Sequence, residues 1–309
     1  MINYLVTGGC GFIGAHLVRA LLNEGYGVKV LDNLSSGQKE SIPNETELIV
    51  GSVTDREKVK EALEGVDGCF HLAAVASVEK TIQNWTDSHS INVGGMVRIL
   101  ETIAESKKQI PFIYASSAAV YGNGLNLPIK EEHPLQPISP YGIDKMGCEY
   151  HAKAAWSLHH IPNIGFRLFN VYGPTFNTHP DVITLFAQKI SKGKKIFIMG
   201  NGEQTRDFVY VADVVKIMMH AMQQLFQGAE IYNVCSGKET SILLISNLLG
   251  KIAGIEVIRE YLPAKKGEIL HSVGDPFKLL HFLKLKTETS IEKGLYQIMK
   301  EIDHRAIMK

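Results

Sequence analysis

Tyr141 and Lys145 stand four residues apart in Pro140-Tyr141-Gly142-Ile143-Asp144-Lys145. On a helix this spacing puts both side chains on one face, where an ammonium stabilises a phenolate and lowers the pKa of the phenol. A phenol tuned toward neutrality is a general base for a hydroxyl group. The same spacing recurs at Tyr261 and Lys265, but Pro263 interrupts that pair and disfavours a continuous helix. Tyr141 is set apart by what precedes it. Phe112-Ile113-Tyr114-Ala115-Ser116-Ser117 is an apolar run ending in two serines, and ligands bind at the carboxyl edge of a parallel sheet in open α/β folds.

A second constellation lies near the start, in Thr7-Gly8-Gly9-Cys10-Gly11-Phe12-Ile13-Gly14. The first glycine of a Gly-x-x-Gly-x-x-Gly set, Gly8, permits a tight turn out of a strand. Gly11 lets the backbone approach a pyrophosphate, and Gly14 lets the following helix pack close to the sheet. The helix that starts here aims free N–H groups and a positive dipole end at phosphate. Glycines at this spacing also arise by chance, so the setting carries the inference. An apolar strand precedes the turn, a helix follows, and Asp32 closes the next strand. A carboxylate there accepts hydrogen bonds from the adenosine ribose and repels a 2′-phosphate. No arginine follows Asp32 before Arg56, so the expected cofactor is NAD.

These residues need elements to position them. Asn3–Thr7, Gly27–Leu31, Glu47–Val50, Gly68–Leu72, Phe112–Ala115 and Ile164–Phe169 read as short, nearly all-apolar strands. Helical periodicity falls between them, at His16–Asn23, Arg56–Leu63 and Val93–Glu105. Buried strands alternating with helices predict an α/β fold, a Rossmann-type doubly wound parallel sheet. After Pro174 the alternation loosens, although Val209–Met222 and Ile242–Ile252 still look helical and the chain is expected back in the sheet at Glu230–Val234. The expected organisation is a cofactor-binding domain over residues 1–174, with a return near 207–235, and a smaller C-terminal substrate-binding domain over 175–309.

Composition narrows the functional classes. The chain has 309 residues, 45% hydrophobic, with 32 basic side chains against 32 acidic ones. That excludes a disordered chain and gives no overall drive toward nucleic acid or an anionic membrane. No apolar run reaches the roughly 20 residues that cross a bilayer, and Met1-Ile2-Asn3-Tyr4-Leu5-Val6 lacks the pattern of a signal peptide. Cys10, Cys69, Cys148 and Cys235 are far apart and read as free thiols of a reducing compartment, so a soluble cytoplasmic protein is expected. His159-His160 and His179 lack the spacing of a metal site, and none is expected. His71 reads as a satisfied structural histidine, Cys10 as a small residue with no redox role, and Glu292–Lys309 as a solvated helix face.

Taken in order, the Gly8–Gly14 turn, Asp32-Asn33-Leu34, His71-Leu72-Ala73-Ala74, Asn92, Ser116-Ser117-Ala118-Ala119-Val120-Tyr121-Gly122 and Tyr141–Lys145 resemble the extended short-chain dehydrogenase/reductase family. Arg167-Leu168-Phe169-Asn170-Val171-Tyr172-Gly173-Pro174 and the stretch Gly200–Val214 extend the resemblance over essentially the whole chain. Within the family it is similar to nucleotide-sugar epimerases of the UDP-glucose 4-epimerase type. The resemblance implies that Tyr141 takes the sugar 4′-hydroxyl proton, Lys145 binds the nicotinamide ribose, and Ser117 hydrogen-bonds the reacting oxygen. It implies a cofactor lining of Phe12, Ile13, Asn33, Leu34, Ser35, Ser36, Gly37, Ser52, Val53, Leu72, Ala73, Ala74, Ala76, Asn92 and Phe169 beside the three glycines and Asp32. Asn170 and Arg206 match positions that contact the diphosphate, and Phe197, Met199, Lys265, Glu268 and Ser272 complete the implied substrate set. A homodimer through helices near Val93–Glu105 and Tyr141–Ala155 is implied as well.

Departures from the family pattern refine the expectation. Ala118 and Ala119 occupy positions that are acidic in members removing water or carbon dioxide, which leaves epimerisation at C4 as the simplest reaction. Ser52 replaces an aspartate that contacts adenine, so a weaker, uncharged contact is expected there. Lys265 keeps a charge but not the bidentate fork of arginine. Ser272 stands where a tyrosine restricts some members to plain hexoses, which suggests room for a 2-acetamido group. Rival readings are a keto-sugar reductase of the same family and a non-catalytic NAD-binding regulator.

Overall fold

The apolar segment Asn3–Thr7 forms strand β1, and the glycines after it turn the chain into helix α1 (Phe12–Asn23). The computed structural model describes residues 1–123, 126–175, 181–224, 226–264 and 269–307. The first half continues with β2 (Gly27–Asp32), β3 (Glu47–Val50), α2 (Arg56–Leu63), β4 (Gly68–His71), α3 (Val78–Gln83), α4 (Trp85–His89), α5 (Gly95–Ser106), β5 (Phe112–Ser117), α6 (Pro140–His159) and β6 (Asn163–Leu168). Then follow β7 (Asn170–Tyr172), α7 (Val182–Ile190), β8 (Ile196–Met199), β9 (Thr205–Arg206), β10 (Phe208–Tyr210), α8 (Val211–Gln223) and β11 (Ala229–Val234). The chain ends with β12 (Thr240–Ser241), α9 (Ile242–Ala253), β13 (Arg259–Leu262), α10 (Phe277–Phe282) and α11 (Ile291–Ile307).

Among the described residues, seven strands make one sheet in the order β3-β2-β1-β4-β5-β6-β11. The pairs from β3 to β6 are parallel. The bonds Asn163 N to Gly228 O and Phe169 N to Val234 O advance together, so β11 is parallel too. The order reverses between β1 and β4, and such a reversal opens a crevice at the strand ends. The expected α/β, doubly wound parallel sheet is present, with the chain back in it at Ala229–Val234.

The chain divides into two compact units. The first comprises Met1–Leu125, Glu131–Leu168 and Val215–Asn233; the second comprises Asn126–Lys130, Phe169–Val214 and Val234–Lys309. In the first, Leu5, Leu31, Phe112 and Tyr114 of the sheet pack with Ile99 and Ile103 of α5 and Cys148 of α6. The core of the second gathers Tyr172, Phe186, Ile196, Ile198, Ile245 and Leu295.

Three local expectations change. The helical pattern from Val93 enters α5 through a π-helical turn, Ser90–Gly94, that carries Asn92. The apolar run from Val209 is a strand before it is a helix, because Phe208–Tyr210 are buried and pair with β7. The C-terminal charged stretch has a second face as well: Leu295, Ile298 and Met299 of α11 are buried in the core of the second unit.

Candidate active site

The glycine turn is a cradle that side chains would fill. Gly8 has φ of +68°, and a Cβ there would lie 2.7 Å from Ala73 N. One on Gly14 would lie 2.1 Å from Gly8 O. Gly11 caps α1 in extended conformation and offers no side chain to the first-turn amides, which leaves those donors for an anion. Asp32, buried at the end of β2, accepts hydrogen bonds from Cys10 N at 2.9 Å and Leu34 N at 2.8 Å. Its carboxylate is thereby tied to the glycine turn on one side and to the Asn33–Gly37 loop on the other. Asn33 Oδ1 accepts from Ser35 N, and Gly37 sits against Cys10. The residues present fit a dinucleotide, with an open helix N-terminus for the pyrophosphate and a fixed carboxylate for a ribose. Burial pushes the Cys10 thiol up to about 12, so it is a protonated packing group.

The neighbouring strand end is held by polar groups. Thr7 Oγ1 shares a 2.8 Å hydrogen bond with His71 Nδ1 and accepts another from Ala73 N at 3.3 Å. Burial, with the nearby Lys145 charge second, drives the His71 pKa down to about 3. The imidazole is therefore neutral and structural, as its sequence setting suggests. The segment Leu72–Ala76 continues from Leu72 N on Thr7 O to Val75 N on Asn92 Oδ1 at 2.8 Å. Asn92 Nδ2 donates to Asp144 Oδ2 at 3.1 Å, and Asp144 Oδ1 meets His89 Nδ1 at 2.7 Å. Asn92 thus fastens the loop after β4 to α6. Ser52 Oγ is turned toward Thr54, with 2.8 Å to its hydroxyl, and Val53 is buried against Gly95 of α5.

Helix α6 starts on a Ser139 cap that accepts from Gly142 N, with Pro140 at the first turn. It carries Tyr141, half-buried, and Lys145, buried. Lys145 Nζ lies 5.8 Å from the centre of the Tyr141 ring and donates to Ala115 O at 2.7 Å. Ser117 ends β5, where its hydroxyl accepts from Ala119 N at 3.2 Å. Phenol, ammonium and hydroxyl are therefore built on one helix and the strand end to which that helix is bonded.

The second unit holds the remaining candidates. Phe169 is buried, with its ring against Gly274, and its N–H donates to Val234 O. Asn170 is exposed on β7, and its backbone N–H is held by Asp207 O at 2.9 Å. Arg206 lies on β9, with Nη1 on Thr205 O at 2.8 Å. Phe197 and Met199 lie on β8, where Phe197 has Lys189 Nζ 4.6 Å from its ring centre. Ser272 is buried. Lys265 and Glu268 lie outside the described residues.

A model of the NAD dependent epimerase/dehydratase family matches residues 4–235. The chain belongs to this family. A Methanocaldococcus jannaschii protein, provisionally named UDP-glucose 4-epimerase, is 34% identical over 298 residues, covering 96% of both chains. The solved structure of Thermotoga maritima UDP-glucose 4-epimerase with UDP-glucose is 32% identical, with a TM-score of 0.94 and full coverage of both chains. That of the UDP-N-acetylglucosamine 4-epimerase of Methanobrevibacter ruminantium is 30% identical, with a TM-score of 0.91 over 98% of this chain and 99% of that one. The family is NAD-dependent, in agreement with the glycine cradle and Asp32.

Sequence reasoning passed over several residues that the fold brings to these sites. Thr7 ties β1 to the loop after β4, Asp144 anchors Asn92, and Glu149 pairs with Arg167 beneath Ser116. In sequence Thr7 and Arg167 are polar residues closing or interrupting apolar runs, while Asp144 and Glu149 read as ordinary charges on a helix. Asp207 is a fourth, accepting from Ser236 N, Ser236 Oγ, Gly237 N and Gly274 N within the second unit.

Proposed function

We propose that this protein interconverts UDP-hexoses at C4, with Tyr141 as the base and acid on the 4′-hydroxyl. The observation that carries the reading is the Lys145 ammonium, fixed on Ala115 O and facing the Tyr141 ring beside the strand end that presents Ser117. NAD, when bound, supplies reversible hydride transfer at C4. The chain supplies the proton traffic and the positioning. Tyr141 accepts the hydroxyl proton and later returns it, Ser117 hydrogen-bonds the reacting oxygen, and Lys145 holds the ribose hydroxyls. The oxidised sugar turns in the site before reduction on its other face, so no net oxidation results. The first unit serves the cofactor and the chemistry. The second holds the nucleotide sugar, with Asn170, Arg206 and Lys265 on the diphosphate, Ser272 toward the sugar, and Phe197, Met199 and Glu268 completing the substrate set.

Ala118 and Ala119 provide no acid or base for elimination, which favours epimerisation over dehydration or decarboxylation. Ser272 is small and buried, which suits a 2-acetamido group, and the Methanobrevibacter ruminantium neighbour is a UDP-N-acetylglucosamine 4-epimerase. The test is incubation of the purified protein with UDP-glucose, UDP-galactose and their N-acetylamino counterparts, with products identified by NMR. Appearance of the C4 epimer without added NADH supports the reading. Stoichiometric NADH consumption in place of epimer formation overturns it in favour of a keto-sugar reductase.

A homodimer and a cytoplasmic setting complete the proposal. A groove of about 440 Å³ between α5 and α6 is lined by Val97, Leu100, Ala104, Ala155 and Leu158, and the exposed Leu158 and Tyr150 lie on α6. A second copy of the same helix pair is the proposed occupant. All four cysteines are free and buried, which suits a reducing compartment.

A further inference from the structure

Arg167 and Glu149 form an ion pair where charge is expensive. Both side chains are about nine-tenths buried or more, with side-chain exposures of 6% each. Arg167 Nε donates to Glu149 Oε1 at 2.9 Å and Nη2 to Oε2 at 2.7 Å, a bidentate clasp. Removing such a pair from water costs several kcal/mol per ion, and well-packed apolar residues of similar volume often serve stability as well or better. The pair therefore calls for an account of what it positions.

Its partners supply one. Glu149 Oε1 also accepts from Ser116 Oγ at 2.5 Å. Ser116 is the residue before Ser117 on β5, and it is registered against Arg167 on β6. Glu149 lies four residues after Lys145 on α6, one helical turn along from the ammonium that holds Ala115 O. Arg167 Nη1 continues to Tyr121 OH at 2.8 Å and Glu131 O at 2.9 Å, just past the strand end. Tyr121 OH donates to Asn233 Oδ1 at 2.7 Å, and Asn233 N to Glu131 Oε1 at 2.7 Å. The strand end carrying Ser117 is thus clamped to α6 at two consecutive residues. Ala115 is held through its carbonyl by Lys145, and Ser116 through its hydroxyl by Glu149.

We propose that the Ser116–Glu149–Arg167 cluster is a positioning device that sets Ser117 against Tyr141 and Lys145 for the reaction. It rests on the epimerase reading above. The ladder to β6 holds the backbone of the strand end through Ser117, and Lys145 ties that end to α6 at one backbone oxygen. The Ser116 hydroxyl supplies the second point, and the rigid Arg167 fork fixes the carboxylate that receives it.

The test is a double-mutant cycle on Ser116→Ala and Ser117→Ala, read as kcat and KM for UDP-glucose and as NAD affinity. Ser116→Ala removes one hydroxyl and leaves the ion pair intact. The expected result is a loss of about tenfold to a hundredfold in kcat, the scale of a small misplacement of a reacting group. KM and NAD affinity should stay within twofold, and Ser116→Thr, which keeps a hydroxyl, should recover most of the loss. In the Ser117→Ala background the Ser116→Ala change should cost little further, because the residue through which it acts is gone. An equal loss in both backgrounds, or an unchanged kcat, overturns the proposal. A crystal structure of Ser116→Ala provides a readout independent of turnover. A displaced Ser117 side chain is expected, and one that has not moved overturns the proposal. Full activity of Ser117→Ala, or a wild-type protein inert toward every UDP-hexose, instead strikes the epimerase reading, and the crystal structure then decides the positional claim by itself.

Discussion

Lys145 Nζ donates a 2.7 Å hydrogen bond to the carbonyl oxygen of Ala115, two residues before Ser117. A single ammonium thereby joins α6, which carries Tyr141, to the strand that presents the serine. It also lies near enough to the buried His71 to help suppress its protonation. Geometry at the proposed reacting centre and charge at the neighbouring strand end depend on the same group.

Tyr141→Phe removes the proposed base and keeps the ring. The expected outcome is a loss of about a hundredfold to ten-thousandfold in kcat, the usual scale for a general acid or base. NAD affinity and Tm should be nearly unchanged. Steady-state kinetics with UDP-glucose, beside an NAD titration, checks this, and a fully active variant refutes the assignment.

Gly14→Ala places a Cβ 2.1 Å from Gly8 O, where backbone must shift to accept it. The turn proposed to face the pyrophosphate should deform. The expected result is at least about tenfold weaker NAD binding, with a stability loss of about 2 kcal/mol or more. Calorimetric titration and urea unfolding measure the two effects separately.

The pKa of His71, lowered to about 3 when folded against 6.5 for the free side chain, gives a signed pH dependence. Between these values the unfolded chain binds a proton that the folded protein refuses. Stability therefore rises with pH across this window and falls as pH drops from about 6.5 toward 3. His71→Gln should flatten the slope by about 1.4 kcal/mol per pH unit. Urea midpoints of both proteins between pH 7 and pH 4 test this, and parallel curves count against it.

Asp207 accepts four hydrogen bonds from Ser236, Gly237 and Gly274, while its own carbonyl holds Asn170 N. Asp207→Asn replaces one acceptor oxygen by a donor facing donors. A stability loss of about 2 to 4 kcal/mol is expected. Because the residue sits beside Arg206 and holds Asn170, KM for the nucleotide sugar should rise more than kcat falls.

Leu158→Glu puts a charge on the apolar groove between α5 and α6. Sedimentation velocity is expected to show a dimer for the native protein and a monomer for the variant. A native monomer at micromolar concentration removes the proposed interface.

The sheet was readable from sequence because parallel strands covered on both faces are nearly all apolar, as in Leu5-Val6 of β1 and Phe70 of β4. The Gly8–Gly14 turn was readable because its glycines answer to local backbone needs. The polar supports were not. Arg167 reads as an exception in an apolar strand, and Glu149 as a helix-surface charge, until the register of β5 against β6 sets Arg167 beside Ser116. The two-residue strands β9 and β12 are equally silent, since Arg206 is paired by Thr240, a partner distant in sequence. Asn92 sits in a π-helical turn whose neighbours keep a helical period, so no pattern marked where the ladder widens.

The interleaving of the two units bears on any attempt to take the protein apart. A fragment ending near residue 174 carries every glycine of the Gly8–Gly14 turn together with Ser117, Tyr141 and Lys145, yet it lacks Val215–Asn233 of the first unit. It would leave β6 with an unpaired edge and take away Asn233, the acceptor of the buried Tyr121 hydroxyl. Such a fragment should aggregate through that edge. A minimal cofactor-binding module would have to splice the α8–β11 segment back on, by a linker or a circular permutation.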